Sequence, residues 1–362
     1  MLIEVVRPAS RAAARHWRRA LLASAMLSTA APLRAQAPPA LAPVTVGAGV
    51  QSSFASNMPD GGDTTNDFLL NSVRLYVNGN PAQKIKFEFN TEYEGSSNKV
   101  GVLDAVAKFE LSGKFNIWAG RMLPPSDRAN LYGPYYAHHW SVFTDGVQDG
   151  YPFVATGRDN GFAYWGQFDK VKVQAGLFDG TSATGKNDLI SAGRVQVDFW
   201  DAEPGYYLNG TYYGGKNLLA LGLAGQVQDG NGAYSGDFLL EKKVTGGGSF
   251  TVEAELAKYD KLGGYNAQYN TNTGGYVLGS FLFPPPKGIT GKFEILGKFA
   301  KANFTNGLTS IDEDYDQNTS ELNFNYIISD FKARVMFFFK NTTFSAVQTN
   351  SKQVGIGVQL QM

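Results

Sequence analysis

Residues 83–93 read Gln-Lys-Ile-Lys-Phe-Glu-Phe-Asn-Thr-Glu-Tyr, and the fold follows from this stretch. Ile85, Phe87, Phe89, Thr91 and Tyr93 share one parity. Lys84, Lys86, Glu88, Asn90 and Glu92 share the other. Residues 331–340 repeat the rhythm, with Phe331, Ala333, Val335, Phe337 and Phe339 opposing Lys332, Arg334, Met336, Phe338 and Lys340. A period of two is the signature of a strand, whose successive side chains point to opposite faces. A soluble sandwich alternates too. Here the apolar parity is aromatic-rich, the other is densely charged, and the runs last about ten residues, enough to cross a bilayer at a tilt. The expectation is a barrel with lipid outside and water inside.

The first 37 residues read as a removable leader. Arg7, Arg11, Arg15, Arg18 and Arg19 form a basic region, Ala20–Ala31 is a short apolar block, and Ala35-Gln36-Ala37 is a small-residue cleavage pattern. A secretory signal peptide over 1–37 and one barrel domain over 38–362 are therefore expected. Six arginines and one glutamate precede Gln36, so a chain of zero formal charge leaves a mature chain with five net negative charges. That balance gives no reason to expect nucleic-acid binding. No run of about 18 apolar residues suggests a membrane helix. Cysteine is absent, which removes disulfides and thiolate metal sites.

Alternating segments fall at 44–51, 68–78, 83–93, 101–110, 115–121, 158–167, 171–178, 192–200, 218–228, 234–242, 249–258, 275–283, 290–301, 320–328, 331–341 and 352–362. They predict an all-β, sixteen-stranded antiparallel transmembrane barrel. The links alternate between short ones with Gly, Pro, Asn or Asp and longer polar ones, as short periplasmic turns and long extracellular loops require. Residues 206–213 could add a strand. A seventeenth strand would put the termini on opposite sides, so 201–216 is read as one long periplasmic connection or strand extension.

Several short motifs carry a family likeness. They include Ser72-Val73-Arg74-Leu75-Tyr76-Val77-Asn78-Gly79, Asp104-Ala105-Val106-Ala107-Lys108-Phe109 and Trp118-Ala119-Gly120-Arg121-Met122-Leu123-Pro124-Pro125. Gly157-Arg158-Asp159-Asn160-Gly161, Gly176-Leu177-Phe178-Asp179-Gly180 and Gly291–Lys298 continue it. From about Phe68 onward the chain resembles the phosphate-selective porin O/P family of Gram-negative outer membranes. The resemblance implies a passive channel for small hydrophilic solutes, with inorganic anions such as phosphate among them. It also implies an outer-membrane location among lipid and lipopolysaccharide, and a homotrimer. Members of that family often end in phenylalanine, whereas this chain ends in Met362.

Phosphate capture needs several cations converging on the lumen. The pore-lining, solute-contact candidates are Arg74, Lys108, Arg121, Arg194, Lys298 and Arg334. The same inward parity supplies Glu88, Glu92, Asp104, Glu110, Asp198, Glu253, Glu255, Glu294 and Glu321. Two arrangements fit: pairing of opposite charges across neighbouring strands, or a basic ladder of Arg74, Lys108, Arg194 and Lys298 offset from the acids. The segment 122–157 is expected to fold inward as a constriction, with Tyr132, Tyr135, Tyr136, His138, His139 and Trp140 as its candidates, since so many aromatics do not stand free in water. The adjacent histidines point apart, so neither a metal nor any cofactor is expected. The competing classes are a barrel enzyme, whose base would have to be His138 or His139, and a structural or adhesin barrel.

Overall fold

The computed structural model describes residues 44–142, 157–180, 189–262, 269–307, 314–346 and 348–362. The leader expected at 1–37, the distal part of the 122–157 segment and the acidic residues Asp312 and Glu313 lie outside the described residues.

Sixteen strands follow in chain order: β1 (Thr45–Pro59), β2 (Thr65–Ala82), β3 (Ile85–Glu94), β4 (Lys99–Ser112), β5 (Phe115–Met122), β6 (Asp159–Phe168), β7 (Val171–Phe178), β8 (Ile190–Asp198), β9 (Leu218–Gln228), β10 (Asn231–Val244), β11 (Gly248–Asp260), β12 (Tyr269–Leu282), β13 (Lys292–Gly307), β14 (Tyr315–Ser329), β15 (Ala333–Phe344) and β16 (Ser351–Gln361). Each pairs antiparallel with its chain neighbours. β1 pairs with β16 from Gly49↔Gln361 to Pro59↔Ser351 and closes the barrel. Closure leaves no sheet edge in hydrocarbon, where an unpaired backbone amide has no water to bond. Met362 takes part in the seam, since it exchanges both backbone hydrogen bonds with Ala48 (2.9 and 3.1 Å). All sixteen expected strands are present, and 206–213 is not a strand.

The register is the one the alternation requires. Phe89, Phe337 and Phe339 are exposed on the outer face, while Arg334, Met336 and Phe338 are buried inside. Several strands outrun the expectation. β1, β2 and β13 have 15, 18 and 16 residues, against about 9–11 needed to span a bilayer. The extra length absorbs much of the expected loops, so the sheet extends beyond the hydrocarbon at the loop end. The alternation of loop lengths also has exceptions, among them the nine residues 283–291 at the turn end. β9 and β10 are joined at the loop end by the tight turn Asp229-Gly230, both at positive φ, as a two-residue hairpin of primed type requires. Residues 199–217, at the turn end, form a long connection.

A helix, α1 (Arg128–Tyr136), follows β5 and was not anticipated from the sequence. Asp127 caps it by accepting from the Asn130 amide (2.7 Å), and Gly133-Pro134 breaks it, with Gly133 at φ 61°.

The outer face gives a direct test. Replacing Phe337 by Lys is expected to cost about 2–4 kcal/mol in urea titrations of the barrel folded in vesicles, the usual cost of a cation on the lipid face near the midplane. Gln353→Lys, on the inward parity of β16, is expected to cost less than about 1 kcal/mol.

Candidate functional site: a lumen divided by two inserts

Two segments enter the barrel from opposite ends. From the loop end, residues 123–142 carry α1 across the lumen. From the turn end, residues 199–217 fold inward and meet it. Leu123, Leu131, Tyr132 and Val142 pack with Tyr206 and Leu208 into one apolar cluster. The wall completes it with Trp118, Met122, Trp165, Phe178 and Ile190, inward residues of β5–β8. Tyr206 stacks on Trp118 with ring centroids 4.6 Å apart, and its hydroxyl donates to the Leu123 carbonyl (2.8 Å). The Leu208 and Gly210 amides donate to the carbonyls of Leu131 and Tyr136 (3.3 and 2.9 Å).

Between the inserts lies a buried ion pair. Arg128 Nη2 and Nη1 donate to Glu203 Oε2 and Oε1 at 2.6 and 3.0 Å, and Nη1 also reaches the Asn209 carbonyl (3.1 Å). Both side chains have no exposed surface. Such a bidentate fork satisfies both carboxylate oxygens in one geometry. Gln196 and the Tyr212 hydroxyl donate to the same carboxylate (2.7 and 2.9 Å). Burial alone would raise the Glu203 carboxyl, but Arg128 outweighs it and brings it down to about 2. The pair's contribution is therefore complete above the ordinary carboxylate range and is lost as pH falls toward 2.

Wall charges hold the loop-end insert. Arg334 donates to the carbonyls of Pro134 and Tyr135 (both 3.3 Å) and of Ala137. Arg194 donates to the Ser126 carbonyl (3.1 Å) and pairs with Asp237 (2.8 Å). Tyr132 donates to Glu253 (2.9 Å), and Ser141 N–H to Glu321 (3.3 Å). Trp140 stacks on Phe338 at 5.7 Å. Glycines in the wall make room for the aromatics. A Cβ on Gly357 would fall 2.4 Å from the Trp140 ring, and one on Gly49 would fall 2.6 Å from the Tyr135 ring.

His138 meets Glu294 Oε1 (3.0 Å) and Ser280 Oγ (3.4 Å), both through Nδ1. A nucleophilic relay needs hydroxyl and carboxylate on opposite ring nitrogens, so these three do not form one. Burial opposes a charge on His138, but Glu294 raises its pKa above the ordinary value. Burial, and then Lys298, hold His139 well below its own. No group of three residues fit to hold a metal occurs among the described residues.

A cavity of about 2180 Å³ lies against β1–β4, β15 and β16. Its lining reaches the loop rim at Ser96–Lys99 and the turn rim at Thr45, Lys332 and Met362. Tyr132, Pro134, Tyr136, Pro204, Tyr207 and Tyr212 of the inserts line its inner side. Arg74 lines it and pairs with Glu92 (2.9 Å), and Arg158 lines it and pairs with Asp104 (2.8 Å). Glu88, also on the lining, holds Lys108, whose ammonium sits 3.9 Å from the Trp118 ring centroid.

Six cations were expected to line the pore, and only Arg74 lies on the open passage. Lys108 sits behind Glu88. Arg194, Lys298 and Arg334 are sealed beneath the inserts, with Lys298 on His139 (3.3 Å) and over Tyr276. Arg121 does not face the lumen. It has the outward parity of Phe115, Ile117 and Ala119, pairs with Ala105, and donates from Nε to the Val102 carbonyl (3.2 Å). The six constriction candidates, by contrast, all lie inside the barrel: Tyr132, Tyr135, His138 and His139 are buried, and Tyr136 and Trp140 line the cavity. The sequence reading missed Arg128–Glu203 and Asp237. Asp237 stands on the inward parity of β10 and was visible in principle; the partnership of 128 with 203 was not.

No family model matches the chain, and no curated protein does. Solved structures do. An anion-selective porin from Comamonas acidovorans aligns at TM-score 0.55 and 15% identity, over 88% of this chain and 99% of that one. OmpT, an outer membrane protein of Vibrio cholerae, aligns in its trimer form at 0.52 and 12%, over 89% and 100%, and its loop L8 deletion mutant at 0.54 and 12%, over 88% and 99%. At these identities the likeness is one of fold. The closed sixteen-stranded barrel is the fold that this chain shares with these outer-membrane proteins.

The seat of Trp140 is testable. Gly357→Leu is expected to cost about 1–3 kcal/mol by overpacking and to shift the tryptophan emission. At Gly279 a Cβ would meet nothing within 4 Å, and Gly279→Ala is expected to leave both unchanged.

Proposed function

We propose that the chain is a passive outer-membrane channel for small hydrophilic solutes. The cavity that runs from rim to rim along β1–β4 supports this most directly. Its wall is polar at Ser53, Ser72, Arg74, Glu88, Asn90 and Glu92. A pore of this kind needs no moving part or cofactor, only a wet path with a suitable field.

The preference for anions is modest on this reading. Phosphate capture calls for cations that converge without counter-charges. Here Arg74, Lys108 and Arg158 each face a carboxylate, which favours cross-strand pairing over a basic ladder. Arg74 is the residue we assign to solute contact. Phosphate is then one permeant among several. Assembly as a homotrimer is proposed from the family resemblance, with the trimer form of the Vibrio cholerae neighbour as support.

Planar-bilayer recording tests the reading. Steady, passive currents are expected, with a small anion-directed reversal potential in a salt gradient. Arg74→Glu is expected to move that potential toward cation selectivity with assembly intact. Properly folded barrels that carry no current, or that hydrolyse phospholipid instead, would contradict the channel reading. Crosslinking in native membranes is expected to trap a three-chain species; monomer alone would contradict the trimer.

A further inference from the structure

We infer that the turn-end insert, residues 199–217, is a specificity-determining element, and that the Arg128–Glu203 pair sets the width of the passage by bracing the two inserts together. The inference rests on the channel reading above and adds to it which part of the chain limits solute size.

Backbone bonds that continue the β8–β9 pairing, Phe199 N–H to the Leu219 carbonyl and Asp201 N–H to the Asn217 carbonyl, reach only the base of the turn-end insert, and neither insert contains a β-strand. A loop of irregular backbone inside a water-filled lumen is stable only where its polar groups are satisfied and its apolar face is covered. The turn-end insert meets both conditions through a few contacts. Glu241 of β10 accepts from the Tyr212 and Gly214 amides, both at 2.6 Å, and from the Thr211 hydroxyl at 3.0 Å. Lys172 of β7 donates to the carbonyls of Glu203 and Gly205 at 2.8 and 3.0 Å. These fix the insert to the wall beneath β7–β10. Glu203 fixes it to α1. Tyr207 and Tyr212 then stand on the inner side of the cavity, facing a wall that includes Arg74 and Glu92.

The consequence is a passage bounded on one side by barrel and on the other by two chain segments that depend on each other. Removing Glu203 takes away the bidentate partner of Arg128 and leaves it only Asp237, 3.5 Å from its Nε on the wall, so nothing charged then braces one insert against the other. The loop-end insert keeps its own hold on the wall through Arg334 and Arg194. Loss of the turn-end insert should therefore widen the passage from the periplasmic side without emptying the barrel.

Bilayer conductance and liposome swelling with sugars of graded mass test this on the full chain, with folding confirmed by heat-modifiable migration. Three variants are informative: Glu203→Gln, Tyr207→Ala, and replacement of residues 203–215 by a Gly-Ser linker. The linker variant is expected to conduct at least about twofold more than wild type and to admit larger sugars, because conductance follows the narrowest section. Tyr207→Ala and Glu203→Gln are expected to shift both readouts the same way by less. Glu110→Gln, at the half-exposed Lys86 pair, serves as control and is expected to change neither. Folded linker and Tyr207→Ala channels with wild-type conductance and wild-type sugar cut-off would overturn the inference. A silent wild-type barrel would instead overturn the channel reading on which it rests.

Discussion

Sixteen strands enclose more space than their own inward side chains can fill, and the character of this molecule follows from how the surplus is shared between chain and water. The two halves of the wall differ in chemistry. On β5–β8 the inward parity combines Trp118, Met122, Ala163, Trp165, Phe178 and Ile190 with Lys172, Gln174, Arg194, Gln196 and Asp198, all buried. On β1–β3 it carries Gln51, Ser53, Ser72, Arg74, Asn90 and Glu92. The apolar side chains cannot be left wet without losing the stabilisation that apolar burial provides, and Lys172, Gln174 and Gln196 among them donate to Glu203 and Tyr206 of the turn-end insert. The inserts settle on it, and the polar half is left as the passage.

The charges follow the same division. Sealed cations hold the inserts: Arg334 and Arg194 through backbone carbonyls, Arg128 through Glu203. On the passage, Arg74 and Arg158 are held by carboxylates of the wall. A charge withdrawn from water needs fixed partners close by, and a bidentate guanidinium supplies several at once. Nearly equal numbers of inward acids and bases thus reflect two tasks, anchoring and lining, and total lumen charge says little about selectivity.

Much of the fold was legible in the sequence because a membrane barrel repeats a single constraint. Each strand must alternate, and Phe87 against Lys86 or Phe337 against Arg334 fixes the register locally. The strand ends were less legible, since β2 and β13 continue past the hydrocarbon with no change in rhythm to mark the bilayer surface. The inward folding of Tyr132, Tyr135 and Trp140 could be anticipated from their density in one loop. Residues 199–217 gave no comparable signal. Tyr206 and Leu208 keep a strand's period of two, which Tyr213 breaks, and their partners are distant in sequence. Arg121 was misplaced although the parity of Phe115 and Ile117 already assigned it to the outer face. Lys298 and Arg194 were on the correct face, but what covers them is tertiary.

The division of the lumen is open to direct measurement because the chain has no cysteine. Single cysteines can be placed at Asn71 and Gln353, which line the passage, and at Gln174 and Gln196, which are buried beneath the turn-end insert. Labelling rates with a small water-soluble thiol reagent can then be compared in folded barrels. Fast reaction at 71 and 353 with strong protection at 174 and 196 is the predicted result. Comparable rates at all four positions would show an evenly open lumen and contradict the account.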